Sequence, residues 1–301
     1  MKRVLITGAT GFIGRHCLTY LLQEGFEIFA ISSKKIPEDS KGIHWIQYDL
    51  LHSTAIQELL SQIKPTHLLH LAWNATPGQF WTSRDNIDWL KVSIDLVQAF
   101  ADHGGKRAVI AGTCAEYDWN AAEFIESKTP CIPHTLYGSC KLALQIITEA
   151  LAKQLGFSLA WGRIFQPFGP HDYPHRYVPS VIRALSQKES IPCSHGNQIR
   201  DYIFIEDVAD AFVTLLDSQL QGIINIGSGS GVSLKQIAEI LSERLDGKEL
   251  LQFGAIATGA GEPPQLVANT SRLQNELQWS PKYSLTEGLN RTIDWWVKLG
   301  V

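Results

Sequence analysis

Arg3-Val4-Leu5-Ile6-Thr7-Gly8-Ala9-Thr10-Gly11-Phe12-Ile13-Gly14 stands at the head of the chain and decides how the rest is read. The apolar run predicts a strand over 3–7, and the glycines behind it predict a tight turn into a helix from about Gly11 to Glu24. Gly8 and Gly11 let the backbone bend and come close to an anion, and Gly14 lets helix and strand pack closely. A helix that begins there offers free amide donors and the positive end of its dipole. The expected guest is a pyrophosphate, and in a strand–turn–helix context a dinucleotide; a ligand-free turn is the alternative.

Moving outward, strand candidates at 27–31, 43–48, 67–71 and 108–112 alternate with helical stretches near 54–63 and 88–103. Short β-rich runs separated by helices of about ten residues or more call for parallel strands with helices on both faces. The predicted fold is α/β: a doubly wound (Rossmann) parallel sheet over residues 1–165 and a smaller C-terminal α/β substrate-binding lobe over 166–301. Past Phe165 the texture changes to Gln-Pro-Phe-Gly-Pro, a loop rich in His and Tyr, and shorter elements. The run 223–226 ends in Gly227-Ser228-Gly229, so the segment 200–227 either stays in the lobe or returns to the large sheet. There is no internal repeat and no low-complexity tract.

Of 301 residues, 45% are hydrophobic and 19% charged, which excludes disorder as the main state. A formal net charge of -4 leaves no basic surplus to release counterions from a nucleic acid, so a small molecule is the expected partner. Cys17, Cys114, Cys131, Cys140 and Cys193 form no CxxC pair and leave one over, which argues against a disulfide framework or zinc site and fits a reducing cytoplasm. Lys2 and Arg3 precede an apolar run too short for a signal peptide, and no stretch approaches the roughly 20 apolar residues of a membrane helix. No metal site is expected: His171 and His175 are four apart, but Pro170 and Pro174 oppose a helix there.

NAD sites usually carry an acid at the end of the second strand, roughly 20 residues beyond the glycines, to hold the ribose hydroxyls. Here that place reads Ser32-Ser33-Lys34-Lys35. With no carboxylate to repel a 2′-phosphate and with hydroxyls and ammonium groups to bind it, NADP(H) is favoured over NAD. Solvated turn lysines are the alternative. Asp49, after the third strand, is placed for the adenine edge or is an ordinary loop aspartate. Thr10, Phe12 and Ile13 in the turn, with Leu50, Leu71 and Ala72 at the ends of later strands, complete the candidate dinucleotide contacts.

Tyr137 and Lys141 are four apart at the start of a helical run and project from one face. A phenol has an ordinary pKa of about 10, and acid/base work near neutrality requires lowering it at a cost of about 4 kcal/mol, which an ammonium group and a positive nicotinamide supply. Thr113 ends a strand at its carboxyl edge, where ligands bind in such sheets, and is read as a hydrogen-bond donor to a developing oxyanion or as a turn former. Trp295, Trp296 and the other tryptophans in apolar runs are read as packing, and Cys114 and Cys140 as small fillers.

With these residues the chain resembles the extended short-chain dehydrogenases/reductases, the group of nucleotide-sugar epimerases, dehydratases and reductases. The resemblance spans nearly the whole length, through Thr7–Gly14, Thr113, Tyr137-xxx-Lys141, Gly162–Pro170, Arg200–Ala209 and Asn225-Ile226-Gly227. It implies catalytic roles for Thr113, Tyr137 and Lys141, with Tyr137 and Lys141 also touching the dinucleotide and Lys141 its nicotinamide ribose. It implies substrate contacts from Gln166 and Arg200, a nucleotide-sugar substrate, and a homodimer through the helices at 88–103 and 137–155. Related dehydratases follow the threonine with Asp and Glu; here stand Cys114 and Ala115, which disfavours dehydration, although Glu116 is near. A second arginine that many relatives place before a Gly-Asp or Gly-Glu pair is missing, since Thr258-Gly259-Ala260 precede Gly261-Glu262. The preferred expectation is NADPH-dependent reduction of a keto group on a nucleotide-linked deoxysugar. The alternatives are an epimerase holding NAD and, in another class, a non-catalytic dinucleotide sensor, which predicts a broken catalytic set.

Overall fold

In a computed structural model, residues 2–36, 41–52, 55–259 and 261–300 are described; Thr54 and Ala260, named above, lie outside them. Strands β1 (Arg3–Thr7), β2 (Glu27–Ser32), β3 (Ile43–Gln47), β4 (His67–His70), β5 (Arg107–Thr113) and β6 (Ser158–Ile164) join a seventh strand, Gly222–Ile226, in one sheet. All neighbours are parallel, and the spatial order is β3-β2-β1-β4-β5-β6-seventh. The sheet reverses its winding between β1 and β4, and the crevice beyond their carboxyl ends is where such folds take ligands.

The strands are near-continuous apolar runs because both faces are covered. Val4 and Ile6 point into one core with Cys17, Leu21 and Phe212 of helices α1 (Gly14–Gln23) and Ile205–Asp217, while Leu5 points to the other. That second core draws on α2 (Ile56–Ile63), α3 (Asp85–Asp102) and α4 (Leu136–Leu155). The first helix starts at Gly14 and not Gly11 because the intervening residues form the turn, closed by Gly11 N–H donating to Gly8 O at 2.9 Å.

The seventh strand, Gly222–Ile226, pairs with β6, and the helix before it packs against α1, so this segment belongs to the large sheet and interrupts the C-terminal lobe in sequence. The rest of that lobe is built from short pairings. Gln166–Phe168 lies beside Tyr202–Phe204, and Ile199–Arg200 lies between Val232–Ser233 and Gln265–Leu266. Helices Tyr177–Ser186, Leu234–Leu245 and Leu285–Lys298 cover them.

Candidate active site

A cleft of about 450 Å³ opens at the crevice between β1 and β4. Gly8, Thr10, Gly11, Phe12, Ile13 and Gly14 form one wall. Ser32, Ser33 and Lys34 from the end of β2, Asp49 and Leu50 from beyond β3, and Leu71 and Ala72 from the end of β4 also line it, whereas Tyr137 and Lys141, likewise assigned to a dinucleotide by the sequence, are not among its lining residues. The structure thus brings the lining candidates to one concave surface.

Close approach explains the glycines. Gly8 has φ +68°, and a Cβ there would sit 2.9 Å from the Ala72 amide nitrogen; a Cβ at Gly14 would collide with the Gly8 carbonyl oxygen. Thr7 fixes this approach from below. Its hydroxyl accepts the Leu71 and Ala72 amides at 3.2 and 3.1 Å, leaving its own proton for His70 Nδ1 at 2.7 Å. His70 Nε2 therefore carries the ring proton and donates to Ser93 Oγ at 2.8 Å. Burial pushes the His70 imidazole down to about 3, with the charge on Lys141 adding to the effect. It is a neutral structural strut. The cradle is thus shaped for a pyrophosphate, with bare backbone at the turn and a helix N-terminus beside it.

At the end of β2 the buried Ser32 hydroxyl lies 3.0 Å from Thr10 Oγ1 and accepts the Lys34 amide at 3.0 Å, which leaves the Lys34 side chain exposed at the cleft rim. Asp49 accepts the Leu51 amide and faces His52.

Tyr137 and Lys141 lie in the first turns of α4, whose N-cap Thr135 accepts the Gly138 amide at 3.1 Å. Lys141 is buried; its Nζ donates to Ala111 O of β5 at 2.9 Å and sits 3.9 Å from the centre of the Trp73 ring. Trp73 is on the cleft wall, so Lys141 and Tyr137 adjoin the cleft through it. Phe80, Trp81 and Trp73 box the Tyr137 ring edge-on, at centroid distances of 4.8, 5.8 and 6.4 Å. The Thr113 hydroxyl accepts the Ala115 amide at 3.2 Å and lies near enough to the Tyr137 phenol to draw its pKa down. The three candidate catalytic residues are therefore gathered at one place.

Their protonation departs from the expectation of a lowered phenol pKa. Burial holds the Tyr137 phenol above its ordinary value, against the Thr113 hydroxyl that pulls it down. The same burial draws Lys141 down to about 7, opposed by the Glu116 charge. Desolvation outweighs the Thr113 contribution at the phenol and the Glu116 charge at the ammonium group.

Glu116, two residues beyond the first dehydratase position, is fully buried and committed elsewhere. Its carboxylate accepts Thr113 N at 2.8 Å, Trp161 Nε1 at 3.0 and 3.1 Å, and Arg163 Nε at 2.7 Å. It props the strand end from behind.

In the C-terminal lobe Gln166 lines a smaller pocket with Phe80, Trp81 and Arg176, next to the boxed tyrosine. Arg200 is buried and donates to Glu262 at 2.8 Å, so its charge is matched within the chain. His171 takes φ +68°, lies 2.6 Å from Arg15 Nη1 and packs on Trp295 at 4.5 Å, tying the lobe to the glycine turn. Reading Trp73 and Trp81 as plain packing missed their contacts with the candidate pair. The available signal was the position of Trp73, three residues past the carboxyl end of β4. Among the described residues no group of three or more His, Cys, Asp or Glu side chains is placed to hold a metal, and no helix is long and apolar enough to cross a membrane.

Residues 4–227 match the model of the NAD dependent epimerase/dehydratase family. The chain belongs to this family. It is 27% identical to a UDP-glucuronate 4-epimerase of Thermodesulfobacterium geofontis, with 98% of this chain and 96% of the relative covered. It is 26% identical to a CDP-abequose synthase of Salmonella typhimurium over 96% and 97% of the two chains. The Thermus thermophilus UDP-glucose 4-epimerase, solved in complex with NAD, superposes with a TM-score of 0.86 at 23% identity, covering 98% of this chain and 99% of that one. This family member therefore has the Rossmann-like architecture of nucleotide-sugar enzymes.

Proposed function

We propose that the chain is an NADPH-dependent reductase of a keto group on a nucleotide-linked deoxysugar. The observation that carries this reading is geometric: Tyr137 and Lys141 share the first turns of α4, and both meet Trp73, a residue of the cleft wall, with Lys141 Nζ 3.9 Å from its ring centre. Reduction needs a proton donor at that point, whereas a step that begins with oxidation needs a phenolate. The dinucleotide, when bound, supplies the hydride. Thr113 and Tyr137 would hold the substrate oxygen, and Tyr137 would protonate it as the alkoxide forms. Lys141 would then steady the charge left on the phenolate. The commitment of Glu116 to Arg163 ties up a carboxylate that dehydration would recruit.

The end of β2 supports NADPH: Ser32, Ser33 and Lys34 line the cleft, and no carboxylate among the described residues stands at that strand end. Gln166 and Arg200 are proposed to face the substrate, with Arg200 reaching a diphosphate only by sharing its charge with Glu262. A homodimer through α3 and α4 is supported by the exposure of Ile87, Ile146, Ile147 and Leu155 on those helices.

A second reading, epimerisation with tightly held NAD, is favoured by the Thermodesulfobacterium and Thermus relatives, both epimerases, and by the NAD in the Thermus complex. Incubation with NADPH and a panel of nucleotide-linked 4-keto-6-deoxyhexoses separates the two. Stoichiometric loss of NADPH absorbance supports the reductase. Conversion of a nucleotide hexose with no net change in dinucleotide supports the epimerase. If NADH binds as tightly as NADPH and Lys34→Ala changes neither affinity, the NADPH assignment fails.

A further inference from the structure

Lys141 is placed unusually for a buried ammonium group. Among the described residues its one hydrogen bond is to Ala111 O, and the Trp73 indole face lies 3.9 Å away. Trp73 cannot turn aside easily. Its Nε1 donates to Asn86 Oδ1 at 2.8 Å, and its ring stacks on Trp89 with 28° between the planes. Asn86 is itself buried, and its amide donates to Phe80 O at 2.7 Å and Ser83 O at 2.8 Å. One asparagine therefore orients the indole under Lys141 and holds the loop whose Phe80 and Trp81 box Tyr137.

We propose that Trp73 is a positioning residue for Lys141: its indole face, locked by Asn86, holds the ammonium group charged and aimed beside Tyr137. The indole offers the most favourable aromatic face for a cation, and the interaction strengthens where water is excluded. Glu116 adds a favourable charge from a distance, but among the described residues no other group in reach contacts the ammonium as the indole does. Glu116 behind β5 is already matched to Arg163, His70 on β4 is held neutral, and Tyr137 on the same helix is protonated. The contact between Trp73 and Lys141 holds whether or not the pair reduces ketones; its catalytic consequence rests on the function proposed above.

The test uses the full chain without substrate or dinucleotide. Lysine carrying 13C at its ε position is incorporated, the Lys141 resonance is identified by its loss in Lys141→Met, and its titration is followed in wild type, Trp73→Leu and Trp73→Phe. Trp73→Leu keeps the site apolar and removes the face, and should lower the proton affinity of Lys141 roughly tenfold; Trp73→Phe keeps a face and should lower it less than threefold. Wild-type protein made with mono-, di- and trifluorinated tryptophan weakens the ring quadrupole at nearly constant shape, and the midpoint should fall stepwise. The proposal is overturned if the fluorinated series leaves the midpoint in place, or if a folded Trp73→Leu titrates like wild type. Equal falls in the Leu and Phe variants also overturn it, since the effect would then follow the Asn86 hydrogen bond. Should Trp73→Leu fail to fold, the fluorinated series decides alone. A Lys141 midpoint that behaves as stated in a protein that turns over no keto-sugar overturns the reductase reading and leaves this one standing.

Discussion

Substituting Glu116 by Gln tests how the strand end beneath the site is held. The carboxylate has no solvent exposure and takes four hydrogen-bond contacts, from Thr113 N, from Trp161 Nε1 to both oxygens, and from Arg163 Nε. An amide offers one oxygen and turns an NH2 group toward donors, so at least one of Thr113 N, Trp161 Nε1 and Arg163 Nε loses its acceptor. The Arg163 charge also loses its counter-ion in a place water does not reach, leaving it the Tyr117 ring 4.3 Å away and a hydrogen bond to Cys131 Sγ at 3.1 Å. Breaking a buried pair from one side costs about 3–5 kcal/mol. With an m-value of about 3 kcal/mol/M in urea, the unfolding midpoint should fall by about 1–1.7 M. Urea titration by far-UV circular dichroism reads this, and the double variant Glu116→Gln/Arg163→Met should recover much of the loss by removing the stranded charge. A single variant within about 1 kcal/mol of wild type would refute the argument, as would a double variant less stable than the single.

Three further outcomes follow from the same geometry. His70→Gln tests the neutral strut. The folded pKa of His70 lies below its unfolded value of about 6.5, so its contribution is fully present above that pH and is lost at about 1.4 kcal/mol per pH unit as acid approaches about 3. The stability advantage of wild type over His70→Gln should therefore shrink by about 2 kcal/mol between pH 7 and pH 5, read from paired urea midpoints; a constant gap contradicts it. Gly14→Ala forces a Cβ into the Gly8 carbonyl oxygen and should weaken dinucleotide binding at least tenfold in calorimetry, whereas Gly25→Ala, at a turn with open space, should leave it unchanged. Tyr137→Phe should bind dinucleotide within a few-fold of wild type yet lose at least 100-fold in turnover, and retained turnover would remove Tyr137 from its proposed role.

Much of the cleft was legible because its requirements are local. A turn that must bring backbone to within contact of another strand needs glycine at fixed spacing, and a pair on one helix face needs residues four apart; Gly8, Gly14, Tyr137 and Lys141 show both patterns in the linear sequence. The partners of those residues were not legible. Glu116 meets Arg163 across 47 positions and Arg200 meets Glu262 across 62, and nothing in either neighbourhood names the other. The aromatic box was missed because a tryptophan in an apolar run looks the same whether it fills a core or faces a lysine.

The sequence by itself determined the alternation of strand and helix, the glycine turn that begins it and the candidate proton-handling pair, since periodicity and spacing are properties of neighbours along the chain. Only the tertiary structure decided that burial keeps Tyr137 protonated while drawing Lys141 down to about 7, that Glu116 is a prop, and that Trp73 lies under the ammonium. Those outcomes depend on how much water and which charges surround a group, and in a folded chain that is set by residues far away in sequence.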